Sequence, residues 1–301
     1  MPRNAATVIL LRQVAGRAEA LLVRRHVELA VAGGAWVFPG GKLETADYSA
    51  QSLGRLRGVS DLQTTLAAAL GDELTHEQAL GLLIAGCRET FEEVGVLLAC
   101  QEDGSPCPTD RFERLQRCRQ EVSRDPARFA ALLEESGLVL EASRLLYWSR
   151  WITPSIVPWR FDARFFITAM PSQQHVICDS AEAMEPLWLD LASFNSLPDA
   201  KLIQAPPTRL TLGELAARLA EHGTVDALLR NEYRRHVATI MPKSVREREG
   251  DFAVMPWDPA YTRLPGEGVA VDRRLAERHR GFPSRFAVPR GTMPSPPDPV
   301  P

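Results

Sequence analysis

Cysteine is scarce in this chain, and its cysteines lack the spacing of a metal or redox motif. The sequence contains Cys87, Cys100, Cys107, Cys118 and Cys178, an odd number without a C-x-x-C pair. This pattern indicates neither a disulfide framework nor a zinc site. We therefore expect the thiols to be reduced and structural.

Long apolar runs and a strong charge of either sign are also missing. No apolar stretch approaches the roughly 20 residues that a membrane-spanning helix needs. Lys and Arg together number 35 against 38 for Asp and Glu, a net charge of −3. Neither nucleic acid nor a membrane is therefore expected as a partner. The first residues lack a secretory signature and the last three are not a peroxisomal tripeptide, so the cytoplasm is the expected location.

The chain shows no internal repeat and no clean linker. Its 301 residues, 45% of them apolar, are enough for one large domain or two small ones. We expect residues 1–235 to form one domain with helical insertions at about 48–74 and 108–137. Residues 236–301 would be a C-terminal extension, with about the last ten residues disordered.

Local patterns predict where strands and helices lie. Two β-rich runs joined by a turn at Gly16 predict a hairpin. The predicted strands are 5–12, 19–25, 35–38, 96–100, 145–153, 160–166 and 187–191. Helices are predicted from 60, from Asp110, from Asp125 to Gly137, over 210–222 and over 225–235. The helical segment over 108–137 would form a second wall of a site or an oligomer surface, which leaves a homodimer open.

One helix, from Thr75 to Gly95, has signals at both ends. Thr75 followed by Gln78 is a capping-box start, and Gly95 stands where a left-handed residue ends a helix. Its apolar stripe consists of Leu80, Leu83, Ile84, Cys87, Phe91 and Val94. Glu89, Glu92 and Glu93 crowd one end of the other side.

Two interpretations of these carboxylates are open. The first is a solvated face on which Arg88 pairs with Glu92 at i, i+4. The second is a site for a hard divalent cation, which takes oxygen ligands from clustered carboxylates. A Pro-Gly-Gly turn upstream, Phe38 to Glu44, exposes backbone carbonyls and lets the chain approach a ligand closely, which favours the second.

Together these segments resemble the Nudix box. Gly41 opens the pattern, Asp47 stands at its first Glu position, and Arg88 to Val96, RETFEEVGV, closes it. Three departures are Asp in place of Glu at 47, Thr90 at a position normally apolar, and forty residues, 48–87, where seven are usual. Such an insertion is typical of the coenzyme A diphosphatase-like branch of the family.

The resemblance implies an α+β fold, a Nudix α/β/α sandwich with a mixed sheet, helical insertions and a C-terminal extension. It also implies hydrolysis of a diphosphate bond with Mg²⁺ (or Mn²⁺). Glu89 and Glu93 would be the principal metal ligands, Glu92 a further ligand or the catalytic base, and the Gly41 carbonyl an auxiliary ligand. Arg88 would orient the helix by pairing with residue 47, although Asp47 is shorter than the usual Glu. Gly40, Asp47 and Gly95 would be structural.

The substrate implied by this branch is coenzyme A or an acyl-coenzyme A. Because a shared box defines the reaction and not the specificity, another nucleoside diphosphate derivative such as ADP-ribose or NADH stays open. A ligand-sensing Nudix module without turnover is a further alternative, although three intact carboxylates argue against it.

Three arginines are candidates for substrate phosphates. Arg25 lies in a segment that partly resembles the accessory motif of coenzyme A-cleaving Nudix enzymes, and its alternative role is a charged strand end in solvent. Alternation places Arg160, Asp162 and Arg164 on one face of a strand that borders the substrate cleft in this branch. The alternative for this face is simple exposure to solvent.

Overall fold

The computed structural model describes residues 1–28, 33–59, 74–178, 183–194, 205–233, 235–271 and 273–288. The chain forms two compact units. The larger unit comprises Ala5–Trp148 and Arg164–His236, and the smaller unit comprises Met1–Asn4, Ser149–Ala163 and Val237–Pro301. Two segments from before residue 235 thus belong to the smaller unit, and the division into a domain of 1–235 and an extension stays a prediction.

The predicted hairpin begins the chain. Strand β1 (Arg3–Val14) pairs antiparallel with β2 (Arg17–Arg25). Ala15 and Gly16 have φ of +48° and +80°, the positive values of a tight hairpin turn whose twist matches that of the strands. The apolar middle of each strand, including Ile9 and Leu22, is fully buried. The prediction of a hairpin is therefore confirmed.

A mixed sheet is built around this hairpin. Its strands are β10 (Ala183–Asp190), β2, β1, β9 (Phe161–Ala169) and β8 (Leu146–Ile152), in that order. Two short strands extend it: β3 (Trp36–Val37) pairs with β2, and β4 (Gly40–Lys42) pairs with β1. A separate small sheet has the order β5 (Leu56–Arg57), β7 (Leu138–Glu141), β6 (Cys100–Gln101).

Helices make up most of the rest of the larger unit. They are α1 (Ala50–Leu53), α2 (His76–Val94), α3 (Thr109–Arg117), α4 (Arg119–Arg124), α5 (Ala127–Glu135), α6 (Pro206–His222) and α7 (Val225–Asn231). The insertion over 108–137 is helical, as predicted. Its first helix begins after Pro108, not at Asp110, and breaks at Cys118, where the backbone leaves helical geometry (φ −90°, ψ 0°). The helix predicted from residue 60 lies outside the described residues.

One predicted strand, 96–100, is wrong. Among these residues only Cys100 belongs to a strand, β6. The backbone N–H of Leu97 instead donates to the side-chain oxygen of Gln174 (2.8 Å), and the amide nitrogen of Gln174 donates to the Leu97 carbonyl (2.9 Å). A side chain thus takes the place of a neighbouring strand.

The smaller unit contains a three-stranded antiparallel sheet in the order β12 (Lys243–Glu247), β13 (Gly250–Val254), β14 (Arg285–Val288). It also contains β11 (Thr239–Ile240), which pairs in parallel with Arg150 and Trp151 of β8, and α8 (Arg273–Arg278). Residues 292–301, predicted to be disordered, lie outside the described residues. Across the described part of the chain, no helix has the length and apolar content needed to cross a membrane.

A buried carboxylate anchors β14 in the smaller unit. The Asp258 carboxylate accepts hydrogen bonds from Ser284 Oγ (2.8 Å), Arg285 Nε (2.9 Å) and the Ala260 N–H (2.8 Å). Burial acts to raise the pKa of Asp258, but the hydrogen bonds and the charge of Arg285 lower it overall. Because the pKa is lower in the folded state, this stabilisation is complete above the unfolded value of about 3.9 and is lost as the pH falls through the folded value.

We expect Asp258→Asn to destabilise the smaller unit near neutral pH by about 1.5–3 kcal/mol, the range for hydrogen bonds to charged groups. The stability of the variant should also fall less than that of the wild type as the pH drops below about 4. Hydrogen exchange of the β13 and β14 amides in the full chain, measured against pH, checks both effects. Glu249→Gln, an exposed carboxylate of the same unit, is the control. An unchanged acid profile for Asp258→Asn would contradict the assignment.

Candidate active site

Helix α2 forms as its end signals predict. Thr75 Oγ1 accepts the Gln78 N–H (3.3 Å), and Gln78 Oε1 accepts the Thr75 N–H (3.1 Å). Gly95 adopts the left-handed conformation (φ +66°, ψ 13°), and its N–H donates to the Phe91 carbonyl. The four charged residues of the box therefore lie on the last two turns of a helix with both ends capped.

The charged face of α2 is not a solvated surface. The side chain of Arg88 is 2% exposed, those of Glu89 and Glu92 are 16% and 12% exposed, and Glu93 is 5% exposed. The i, i+4 pair of Arg88 and Glu92 does form (2.7 Å), but beneath the surface. Buried charges require partners, so each of these carboxylates needs a stabilising contact.

Arg88 pairs with Asp47 in spite of the shorter side chain. Its Nε donates to Asp47 Oδ1 (2.8 Å) and its Nη2 to Asp47 Oδ2 (3.0 Å) and to the Lys42 carbonyl (3.0 Å). Asp47 lies in a 3₁₀ helix, Thr45–Tyr48. The Glu44 N–H donates to Asp47 Oδ2 (2.9 Å) and holds the carboxylate in place. The spacing of Glu44 and Asp47, three residues apart as in a capping box, is the sequence signal that could have predicted this turn.

The same guanidinium also joins two box carboxylates. Arg88 Nη1 donates to Glu89 Oε1 (2.9 Å) and to Glu92 Oε1 (2.7 Å). Burial acts to lower the pKa of Arg88, but the hydrogen bond to Asp47 and the three negative charges raise it overall. Arg88 therefore remains a cation that holds three carboxylates together.

Glu89 lies against the Pro-Gly-Gly turn. A Cβ atom at Gly41 would stand 2.3–2.6 Å from the carboxylate atoms of Glu89, closer than any side chain tolerates. Burial raises the pKa of Glu89 to about 7; Arg88 opposes this shift and Glu92 adds to it. Glycine at 41 thus brings a backbone segment directly beside a carboxylate that is costly to ionise without a further cation.

Glu93 is held by the same turn. Its Oε2 accepts the Gly40 N–H (3.0 Å). A Cβ at Gly40 would meet the Ala6 carbonyl at 2.4 Å and Thr7 Cα at 2.7 Å, so only glycine lets the turn pack this closely on β1. Burial raises the pKa of Cys178 to about 11, and the charge of Glu93 adds to the shift. The Gly40 N–H therefore fixes the Glu93 carboxylate against the turn.

Thr90, the polar residue at a normally apolar box position, is fully buried. Its Oγ1 donates to the Gly86 carbonyl one turn earlier (2.7 Å). The hydroxyl is satisfied within the helix, so this departure from the box needs no polar partner outside α2.

We expect Gly41→Ala to displace Glu89 and to lower the activity proposed below by about 10- to 100-fold, the cost of misplacing a group by about 1 Å. The fold should survive, because the added methyl group meets the end of a flexible side chain. Steady-state kinetics beside a thermal melt checks both points. Gly104→Ala is a matched control, since a Cβ there meets nothing within 4 Å, although its positive φ of 83° carries a small strain.

The donor set fits a hard divalent cation. Glu89, Glu92 and Glu93 supply carboxylate oxygens and Gly41 a backbone carbonyl, the ligand types that Mg²⁺ prefers. As the side chains stand, Arg88 lies between Glu89 and Glu92, and Glu93 is turned to Gly40. In the described residues, no three His, Cys, Asp or Glu side chains are grouped closely enough to hold a metal ion in this arrangement.

The three candidate phosphate-binding arginines come from two segments of the chain, Arg25 from the first hairpin, and Arg160 and Arg164 from just before and within β9. Arg25 ends β2, where its N–H donates to the Ala35 carbonyl (3.0 Å). Arg164, in β9 of the larger unit, is fully buried, which excludes the solvent-facing alternative for this residue. Arg160 belongs to the smaller unit, where its Nη2 pairs with Glu267 (3.1 Å) and its Nε donates to the Thr153 carbonyl (3.1 Å). Their contact with substrate stays a prediction.

Sequence reasoning missed the residues that hold the end of α2. Gln116 and Arg119 of the helical insertion and Gln174 after β9 donate to the backbone of Gly95, Ile177 and Leu97, respectively. No short-range pattern marks a polar side chain that pairs with backbone so far away in sequence.

The fold is that of a Nudix hydrolase. It is similar to the crystal structure of a NUDIX hydrolase from Alicyclobacillus acidocaldarius, at 24% identity and a TM-score of 0.60, over 76% of this chain and 96% of that one. The predicted α+β class is confirmed. The sequence profile described as the NUDT19 Nudix domain matches residues 2–215. The chain therefore belongs to the NUDT19 family of Nudix hydrolases.

Two curated relatives that match most of the chain carry the same name. The acyl-coenzyme A diphosphatase NUDT19 of Xenopus laevis is 26% identical over 277 residues, 82% of this chain and 72% of the relative. The protein of the same name from Gallus gallus is 27% identical over 316 residues, 87% of this chain and 80% of the relative.

Proposed function

We propose that this protein hydrolyses the diphosphate bond of coenzyme A or an acyl-coenzyme A. One water molecule would be consumed: its oxygen would form a new P–O bond as one P–O bond of the anhydride breaks, and each product would keep one of the two anhydride phosphates. The products would be adenosine 3′,5′-bisphosphate and phosphopantetheine or its acyl form. The similarity to proteins named acyl-coenzyme A diphosphatase over most of the chain supports this substrate class.

The observation that carries the proposal is the completed box. Asp47 and Arg88 are 41 positions apart, yet they form a buried two-point ion pair that also holds Glu89 and Glu92. A protein that had lost catalysis would have no need to bury four charges here, because burying a charge costs free energy. The geometry thus favours an enzyme over a ligand sensor.

We assign the metal-binding residues as Glu89, Glu93 and the Gly41 carbonyl, with Glu92 as a further ligand or as the base for the attacking water. Mg²⁺ or Mn²⁺ bound there would activate water and neutralise charge on the phosphate oxygens. Arg88 would keep Glu89 and Glu92 side by side, which like charges would otherwise resist. The Gly40 N–H would hold the Glu93 carboxylate toward the turn.

Arg25, Arg160 and Arg164 are the arginines that we propose as contacts for the phosphates of the substrate. Removing a guanidinium that contacts a phosphate should raise KM more than it lowers kcat. Arg25→Lys, with Arg17→Lys at the exposed start of the same strand as control, tests the candidate on β2. We further propose a cytoplasmic location.

Product analysis tests the function. Purified protein with Mg²⁺ is incubated separately with coenzyme A, acetyl-coenzyme A, ADP-ribose and NADH, and the products are separated by liquid chromatography. We expect adenosine 3′,5′-bisphosphate from the two coenzyme A compounds. Cleavage of ADP-ribose or NADH alone would support diphosphate hydrolysis but would overturn coenzyme A compounds as the substrate class. Binding of a compound without cleavage would favour the sensor instead.

A further inference from the structure

A short segment after β9 is bonded to the C-terminal end of the helix that carries the box. We call residues Gln174–Ile177 the strap. The Ile177 N–H donates to the carbonyl of Val94, the last residue of α2 (2.9 Å). Both residues belong to the larger unit. This bond satisfies one of the four carbonyls that a helix leaves without an internal partner at its end.

The side chain of Gln174 fastens the other end of the strap. Its Oε1 accepts the Leu97 N–H (2.8 Å), and its Nε2 donates to the Leu97 carbonyl (2.9 Å). One amide thus pairs with both backbone groups of one residue, as a neighbouring strand would. This pairing holds the chain two residues beyond Gly95, where α2 ends.

Two side chains of the helical insertion complete the arrangement. Arg119 Nη1 donates to the Ile177 carbonyl (3.1 Å), and Gln116 Nε2 donates to the Gly95 carbonyl. Arg119 is buried, and its cation lies near the end of α2 where the helix dipole is negative. The insertion therefore supports the end of the box helix through the strap as well as directly.

The last turn of α2 carries Glu92 and Glu93, so their positions depend on that turn not fraying. We propose that Gln174 is a positioning residue, which holds the last turn of α2 and through it the Glu92 and Glu93 carboxylates. The proposal rests on the catalytic role assigned to these carboxylates above.

Gln174→Met tests the proposal, because methionine matches the length of glutamine and removes both hydrogen bonds. Gln174→Glu is the second variant, because it keeps the acceptor for the Leu97 N–H and places a carboxylate against the Leu97 carbonyl. Gln173→Met, at the exposed neighbouring position, is the control. The measurements are amide hydrogen exchange of Leu97 and the last turn of α2 without metal, the melting temperature, kcat and KM for acetyl-coenzyme A, and the Mg²⁺ concentration that gives half-maximal rate.

For both Gln174 variants we expect exchange at Leu97 and the last turn to become roughly tenfold faster, since methionine removes both hydrogen bonds and glutamate replaces one of them by a repulsion between two oxygens. We expect kcat to fall roughly tenfold and the half-maximal Mg²⁺ concentration to rise, with KM nearly unchanged, because the carboxylates and not the substrate contacts are displaced. The control should match the wild type in every measurement.

Two results would overturn the proposal. One is unchanged exchange at the end of α2 in both variants. The other is faster exchange or a lower melting temperature with kcat and the Mg²⁺ dependence of the wild type, which would make the strap structural only. Product analysis would show separately whether the wild type cleaves any coenzyme A compound, and a failure there would count against the substrate class. The hydrogen-exchange data would still test whether Gln174 holds the end of α2.

Discussion

Glu93→Gln is expected to abolish most of the activity and to leave the fold intact. Glutamine has the same shape as glutamate, and its Oε1 can still accept the Gly40 N–H that Glu93 Oε2 accepts at 3.0 Å. Only the negative charge is lost. If that charge holds a divalent cation worth several kcal/mol of charge stabilisation, kcat should fall on the order of 100- to 1000-fold.

The stability of this variant carries separate information. Glu93 is 5% exposed, and glutamine matches its volume and keeps an acceptor for the Gly40 N–H. The metal-free melting temperature of Glu93→Gln should therefore stay close to that of the wild type. Mg²⁺ should raise the melting temperature of the wild type and not that of the variant, because a ligand stabilises only the state that binds it.

Glu77→Gln is the matched control. Glu77 lies in the first turn of the same helix and is exposed, so this substitution removes one carboxylate from α2 far from the box. Its activity should equal that of the wild type. Equal activity of Glu93→Gln and Glu77→Gln would remove Glu93 from the list of metal ligands.

The sequence predicts α2 well because its signals are local. The capping box at Thr75 and the left-handed Gly95 act within one turn of each helix end, and both are present in the structure. The hairpin of β1 and β2 is similarly local, because a two-residue turn decides its register. Such features need no knowledge of the rest of the fold.

Contacts between distant residues were harder to predict. Residues 96–100 have the composition of a strand, but the Gln174 side chain, 77 positions away, occupies the backbone groups that a strand would use. Arg164 alternates with Arg160 and Asp162 as a solvent-facing pattern would, and yet it is fully buried. Alternation tells which residues share a face and not what covers that face.

The pairing of Asp47 with Arg88 was only partly predictable from the sequence. Residues 48–87 separate the halves of the box, and periodicity alone gives no reason to bring the halves together. Only the resemblance to the Nudix box predicted that they meet. The turn that makes the shorter Asp sufficient forms through the Glu44 N–H, and the three-residue spacing of Glu44 and Asp47 is its sequence signal.

This buried pair leads to the largest expected effect on stability. Arg88→Met should lower the free energy of unfolding of the larger unit by about 3–5 kcal/mol, the usual cost of removing one partner of a buried ion pair. Asp47 is 1% exposed and would lose two charged hydrogen bonds, while Glu89 and Glu92 would lose the cation between them. Denaturant unfolding of the full chain, followed by circular dichroism, measures the change.

Arg128→Met is the matched control, because Arg128 also contacts two carboxylates, Glu121 and Glu135, but on the surface. Exposed ion pairs contribute about 0–1 kcal/mol, so this variant should unfold almost as the wild type does. If both arginine variants lowered the free energy of unfolding by the same small amount, the ion pair of Asp47 and Arg88 would not stabilise the fold as a buried pair should.

A double variant separates the pair from the general loss of packing. Asp47→Asn keeps an oxygen that can accept the Glu44 N–H and removes the buried charge that Arg88→Met leaves unpaired. The double variant Asp47→Asn/Arg88→Met should therefore be more stable than the sum of the two single changes predicts, with a coupling free energy within about 0.5–3 kcal/mol. Strict additivity would mean that each residue stabilises the larger unit through other contacts. A coupling of the expected size would show that one ion pair joins the two halves of the box across the insertion.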